Sequence, residues 1–168
     1  MVRAKTLFLV RHAKSSWKGP TLSDHARPLN KRGKRDVVLM GKRLVGLLES
    51  PELIVCSSAT RAAVTARAIA DAYEYSHDKI VFDDAIYGAS LKRLIDLVRS
   101  FTERCDRVML VGHNPGITEA FNCLSKLEVS NIPTCGVAVL HFDSDSWSDI
   151  AEGKGKIAHY DYPKRISN

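Results

Sequence analysis

Between residues 6 and 124 the sequence alternates short, continuously apolar runs with longer segments whose apolar residues recur at three- and four-residue intervals. The runs at 6–10, 53–56, 80–82 and 107–111 have the length and composition of buried strands. The segments that follow them carry helical spacing. These are Val37, Met40, Gly41, Leu44 and Leu48; Ala62, Ala63, Ala66, Ile69, Ala70 and Tyr73; Leu91, Leu94, Ile95, Val98 and Phe101; and Ile117, Ala120, Phe121 and Leu124. A strand apolar on both faces must be covered on both, and strand–helix–strand connections do this by laying helices over a parallel sheet. The pattern predicts an α/β chain, a three-layer α/β/α sandwich around a mainly parallel central sheet. The tail departs from it: two strand-like runs, 137–142 and 156–160, are joined through a polar stretch containing Gly153 and Gly155. That ending predicts at least one antiparallel strand at the sheet edge. Asn114 and Pro115 read as the N-cap and first residue of the fourth helix.

At 168 residues, against about 150 for a usual domain, one domain over 1–168 is expected. No apolar run approaches the roughly 18–20 residues that cross a bilayer. The run at 6–10 is too short for a signal-peptide core of roughly 7–15 residues. The expectation is a soluble, cytoplasmic protein with no membrane partner. Cys56, Cys105, Cys123 and Cys135 form no C-x-x-C pair and lie in or beside apolar runs, which reads as free thiols in a reducing compartment. Lys and Arg outnumber Asp and Glu by 25 to 19, an excess that suits a phosphorylated or polyanionic partner. With only two Trp and no basic-aromatic interleaving, a nucleic-acid partner is not expected.

In such sheets ligands bind beyond the carboxyl ends of the strands, where helix N-termini also point. Arg11-His12 follows the first strand, Ser57-Ser58-Ala59-Thr60-Arg61 the second, and Gly112-His113-Asn114-Pro115-Gly116 the fourth. Two Arg and two His therefore converge on one rim. Guanidinium forks beside a helix N-terminus suit a dianionic tetrahedral group. A histidine among them has two possible tasks: as a neutral nucleophile that carries a phosphoryl group, or as a cation that stabilises transition-state charge. No Asp, Glu and His set has metal-ligand spacing, no Walker sequence is present, and Gly153-Lys154-Gly155 lacks the third glycine and following helix of a dinucleotide fingerprint. Phosphoryl transfer through phosphohistidine, with no metal or other cofactor, is the expectation. Asp143, Asp145 and Asp149 read as a polar hairpin connection, and His25, His77, His141 and His159 as surface or strand residues.

Four blocks then resemble the histidine phosphatase superfamily, which includes the phosphoglycerate mutases. They are Leu9-Val10-Arg11-His12-Ala13-Lys14-Ser15-Ser16-Trp17, Arg27-Pro28-Leu29-Asn30-Lys31-Arg32-Gly33, Ser57-Ser58-Ala59-Thr60-Arg61-Ala62 and Val111-Gly112-His113-Asn114-Pro115-Gly116. Their order and intervals look most like the small SixA-type branch, the phosphohistidine phosphatases. The resemblance implies a phosphoglycerate mutase-like fold, His12 as the phosphorylated nucleophile, Arg11 and Arg61 as phosphate clamps, and His113 as the second phosphate-binding histidine. Ser15, Arg27 and the backbone at Asn114 are read as further substrate contacts. Mutase-like relatives carry a Glu acid after the third strand, ahead of a Tyr/Gly pair. Here Phe82-Asp83-Asp84-Ala85-Ile86-Tyr87-Gly88 offers Asp84, with Asp83 as the alternative, each a methylene shorter than Glu.

A short acid bears on the substrate. An alkoxide leaving group needs a proton in the transition state, whereas imidazole, with a conjugate-acid pKa of about 6.5, leaves far more easily. The short connection before Gly88-Ala89-Ser90 leaves no room for a substrate-selecting lid. Both features favour phosphohistidine on another protein. The alternatives are a small-molecule phosphomonoesterase of the same superfamily and a non-catalytic phosphate- or phosphoprotein-binding module. A mutase is disfavoured because Lys18 stands where those enzymes tend to have Asn. Finally, Lys31, Arg32, Lys34 and Arg35 place cations at a helix start, where each opposes the macrodipole by about 0.3–1 kcal/mol. They read either as a solvated helix start or as a docking patch, shared with Arg27, for an acidic partner or the substrate phosphate.

Overall fold

The computed structural model describes residues 3–165, and the middle of its sheet is β1 (Ala4–Arg11). On one side β1 pairs in parallel with β4 (Arg107–Gly112), followed by β2 (Leu53–Cys56) and β3 (Val81–Phe82), all parallel. On the other it pairs antiparallel with β5 (Val137–Asp143), which pairs antiparallel with β6 (Lys156–Asp161). The order is β3-β2-β4-β1-β5-β6. Among the described residues four α-helices cover this sheet: α1 (Lys31–Leu47), α2 (Thr60–Ala72), α3 (Leu91–Arg99) and α4 (Gly116–Ser125).

The continuous apolar runs are explained by the two-sided burial. Phe8 and Val10 of β1, Met109 and Val111 of β4, and Val137 and Val139 of β5 pack with Val37, Met40 and Leu44 of α1 and Ala62, Ala66 and Ile69 of α2. Their strand neighbours Leu7, Leu9, Val108, Leu110 and Leu140 face the other way, onto Leu94, Val98, Ile117 and Phe121 of α3 and α4, with Trp147 beyond them. Each such side chain, fully buried, contributes about 1.5–3 kcal/mol. On the first layer, Gly41 lets α1 approach α2 closely, since a Cβ there would lie 2.9 Å from that of Ala72.

The sandwich matches the expected class, and its antiparallel part is two strands deep, with β5 interior and β6 at the edge. Two local differences remain. β3 is reduced to two exposed residues, and Ile80, expected within it, is buried just ahead of it. Asn114 lies one position further from α4 than expected, and its Oδ1 still accepts from the Thr118 N–H at 3.3 Å. Its amide nitrogen donates to Asn131 Oδ1 (2.6 Å) and the Ile132 carbonyl (3.0 Å), which turns its oxygen toward the Thr118 hydroxyl (2.7 Å), and the helix opens at Gly116. All four cysteines are free, with Cys56 and Cys135 buried. Among the described residues no helix is long and apolar enough to cross a membrane.

Candidate active site

Parallel pairing aligns the ends of β1, β4 and β2, because Arg11 is level with Gly112 and Cys56 with Val111. The next residues continue the ladder: the His12 N–H donates to the Gly112 carbonyl and the Ser57 N–H to the Val111 carbonyl, both at 3.0 Å. His12 and His113 thereby leave neighbouring strands side by side, with ring centroids 5.1 Å apart.

His12 is buried, and its Nδ1 lies 2.8 Å from the Ala13 carbonyl. A carbonyl can only accept, so Nδ1 carries the ring proton and Nε2 holds a free lone pair. Arg61, buried at the start of α2, directs its Nε toward that lone pair at 3.4 Å. Burial, and then the charges of Arg61, Arg11 and Arg27, push the His12 pKa down to about 4, against the pull of the Ala13 carbonyl. The nucleophilic form is thus the resting form at neutral pH. Thr65 fixes the segment, accepting from the Ala13 N–H (2.9 Å) while donating to the Arg61 carbonyl (2.7 Å).

His113 Nε2 lies 2.8 Å from the Ser57 hydroxyl, which already accepts from the Ala59 N–H at 3.2 Å. With the hydroxyl donating to Nε2, the ring proton sits on Nδ1. That Nδ1 is buried without a partner among the described residues, as is the Nε of Arg11. Arg11 is anchored by its other end, donating to the Ile132 carbonyl at 2.9 Å. Burial lowers the His113 pKa to about 3, helped by His12 and Arg61.

The loop before α1 supplies the remaining groups. Arg27 is buried, donates to the Ser15 hydroxyl at 2.7 Å, and stacks on Trp17 at 3.6 Å from the ring centroid. Ser15 is consequently a support for Arg27. The centre of this network is Asp24, which the sequence reading did not single out. It accepts from Arg27 Nε (3.0 Å), Arg61 (3.0 Å) and the Tyr87 hydroxyl (2.5 Å). Tyr87 first, with Arg27 and Arg61, holds the Asp24 carboxyl far below the usual range, so it is an ionised clamp. Asp84 stays outside: its carboxylate is exposed and hydrogen-bonds no group of this cluster, while Asp83 caps the Ala85 N–H. From the same turn Tyr87 enters instead, packing edge-on to His113 at 5.4 Å. Among the described residues no group of three His, Cys, Asp or Glu is placed to hold a metal.

The family model described as histidine phosphatase superfamily (branch 1) matches residues 7–86, a span that includes Arg11, His12, Arg27 and Arg61. Solved structures extend the match over the whole fold. A candidate SixA phosphohistidine phosphatase from Agrobacterium tumefaciens superposes with a TM-score of 0.82 at 27% identity, over 95% of this chain and 98% of that one. The chain belongs to the histidine phosphatase superfamily. Within that superfamily, a second candidate SixA, from Nakamurella multipartita, matches at TM-score 0.77 and 26% identity over 96% and 98% of the two chains. An uncharacterised chloroplast protein of Arabidopsis thaliana is 31% identical over 87% of this chain and 70% of its own. Superfamily and neighbours together support phosphatase activity.

Two expected results follow from this geometry. Both histidines bind fewer protons folded than unfolded between pH 6.5 and their folded values of about 4 and 3. Stability is therefore full above pH 6.5 and declines as pH falls toward those values. Ring NMR titration should find both neutral at pH 5.5, and a midpoint near 6.5 for either would contradict the burial argument. Asp24→Asn removes the charge that aligns Arg61 and Arg27. Hydrogen bonds to charged groups contribute about 1.5–3 kcal/mol, so kcat/KM is expected to fall about 10–100-fold. An unchanged rate would mean that the clamp is dispensable.

Proposed function

We propose that this chain is a phosphohistidine phosphatase that works through a phosphorylated His12. His12 Nε2 attacks phosphorus in line, while Arg11, Arg61, Arg27 and the Nδ1–H of His113 hold the non-bridging oxygens. The Nε2–P bond forms as the substrate P–N bond breaks, and the bonding pair goes to the substrate imidazole. That ring leaves neutral when its other nitrogen carries a proton. Because the Ala13 carbonyl retains the His12 Nδ1 proton, phospho-His12 is imidazolium-like, and in the second step it departs as a neutral ring too. Water forms the new P–O bond, gives its proton to solvent or phosphate, and releases inorganic phosphate. The pocket draws on residues from 11 to 113, and we read the chain as one domain.

The observation that carries the substrate reading is that, among the described residues, neither nearby carboxyl group is placed to protonate a basic leaving group. Asp24 is pinned ionised, the His113 pKa is lowered, the Tyr87 pKa is raised and Asp84 faces solvent. Phosphohistidine needs no such donor. The test is phosphate release, with chelator present, from a phosphohistidine-bearing protein and from p-nitrophenyl phosphate. A higher kcat/KM on phosphohistidine is expected. Preference for the ester would move the assignment to a small-molecule phosphomonoesterase, and no release from either would leave a phosphate-binding module.

A further inference from the structure

Beside the pocket lies a surface that neither the core nor the proposed chemistry uses. Lys14 and Lys18 on the strap after β1, and Lys31, Lys34 and Arg35 in the first turns of α1, are all exposed. Among the described residues none of the five pairs with a carboxylate, whereas their neighbour Arg32 pairs with Asp36 at 3.4 Å. The first turn of α1 contains no acid, so its cations oppose the helix dipole, and folding gains nothing from them.

Strap and helix form one surface. The Asn30 N–H donates to the Lys14 carbonyl at 3.0 Å, and a Cβ on Gly33 would come within 2.2 Å of that oxygen, so glycine lets the first turn sit directly on the strap. Apolar surface runs through the charge. Trp17 is 75% exposed although Arg27 fixes its ring from the pocket side. Along α1, Val38 (54% exposed) and Val45 (45%) continue the face of Lys31, Lys34, Arg35 and Lys42 at helical spacing.

We propose that this face docks an acidic amphipathic segment of a phosphorylated protein, with carboxylates against the Lys and Arg and apolar side chains against Trp17, Val38 and Val45. The proposal rests on the phosphohistidine reading above and extends it by naming the partner's chemistry. A nucleic-acid backbone would satisfy the cations and leave the valines in water. A second copy would bring this basic face against a chain of net charge +6.

The test uses a peptide of about 20 residues, long enough for helix formation, with one phosphohistidine and with Glu and Leu at i,i+4 spacing. Its counterpart carries Gln for every Glu. The variant is Lys31→Glu/Lys34→Glu/Arg35→Glu, whose new charges favour a helix N-terminus and should not lower Tm. Expected are a loss of at least about 10-fold in kcat/KM on the acidic phosphopeptide and less than about 2-fold on the Gln peptide and p-nitrophenyl phosphate. Equal wild-type rates on the two peptides, no loss in the variant, or tighter binding to phosphatidylserine vesicles than to the acidic peptide would overturn the docking proposal. Anisotropy with the unphosphorylated, labelled acidic peptide separates the two claims. If no phosphohistidine peptide is hydrolysed but the variant still loses about 10-fold in binding, the docking face stands and the phosphohistidine reading falls.

Discussion

His12→Ala is expected to lower phosphate release by at least about 10⁴-fold and leave a folded protein, because loss of a nucleophile removes the whole covalent route. His12 Nε2 is the imidazole lone pair that the pocket leaves open. The Ala13 carbonyl fixes the His12 proton on Nδ1, and Ser57 occupies the corresponding nitrogen of His113. The structural cost of the substitution is limited, since the ring makes one firm hydrogen bond, to Ala13, and a long one from Arg61. Circular dichroism should be unchanged, and inorganic phosphate should still bind through Arg11, Arg27, Arg61 and His113. Brief exposure to ³²P-labelled substrate should leave an acid-labile label on the wild type and none on the variant. Label retained by the variant, for instance on His113, would refute the assignment of the nucleophile.

How far the sequence reading reached depends on how local each determinant is. Arg11, His12, Arg61 and His113 could be found because strand runs fix their positions: each lies at or just past the carboxyl end of a strand or at the helix after it, and parallel register does the rest. Asp24 could not. It acts through Arg61, 37 positions on, and Tyr87, 63 positions on, and it lies in a loop whose path no periodicity encodes. One signal was available, an Asp three residues before Arg27, which is the spacing of the observed ion pair. Residues 84–86 form a single 3₁₀ turn that leaves Asp84 outside and delivers Tyr87 to Asp24. Ser15 meets Arg27, whose guanidinium donates to its hydroxyl, a contact that neither sequence block shows alone.

The second large effect is in the leaving group. General acids contribute about 10²–10⁴-fold when the departing atom is strongly basic, and neither Asp24, held ionised, nor Asp84, exposed, is placed to act as one. Across phosphohistidine, phosphotyrosine and phosphoserine, whose leaving groups become progressively more basic, kcat should fall steeply, with phosphoserine slower than phosphohistidine by at least about 10³-fold. The first step alone should carry this dependence, because the second always expels the same His12 ring. Burst kinetics with p-nitrophenyl phosphate can separate the steps: an activated ester should phosphorylate His12 quickly and turn over at the rate of its hydrolysis. Comparable kcat on phosphoserine and phosphohistidine would mean that an acid does reach the leaving atom. Asp84→Ala and Asp24→Asn would then identify it by which variant restores the steep dependence. The Asp24 clamp makes the opposite expectation specific, because a carboxylate shared among two guanidiniums and a phenol holds its charge at the pH where an alkoxide would need its proton.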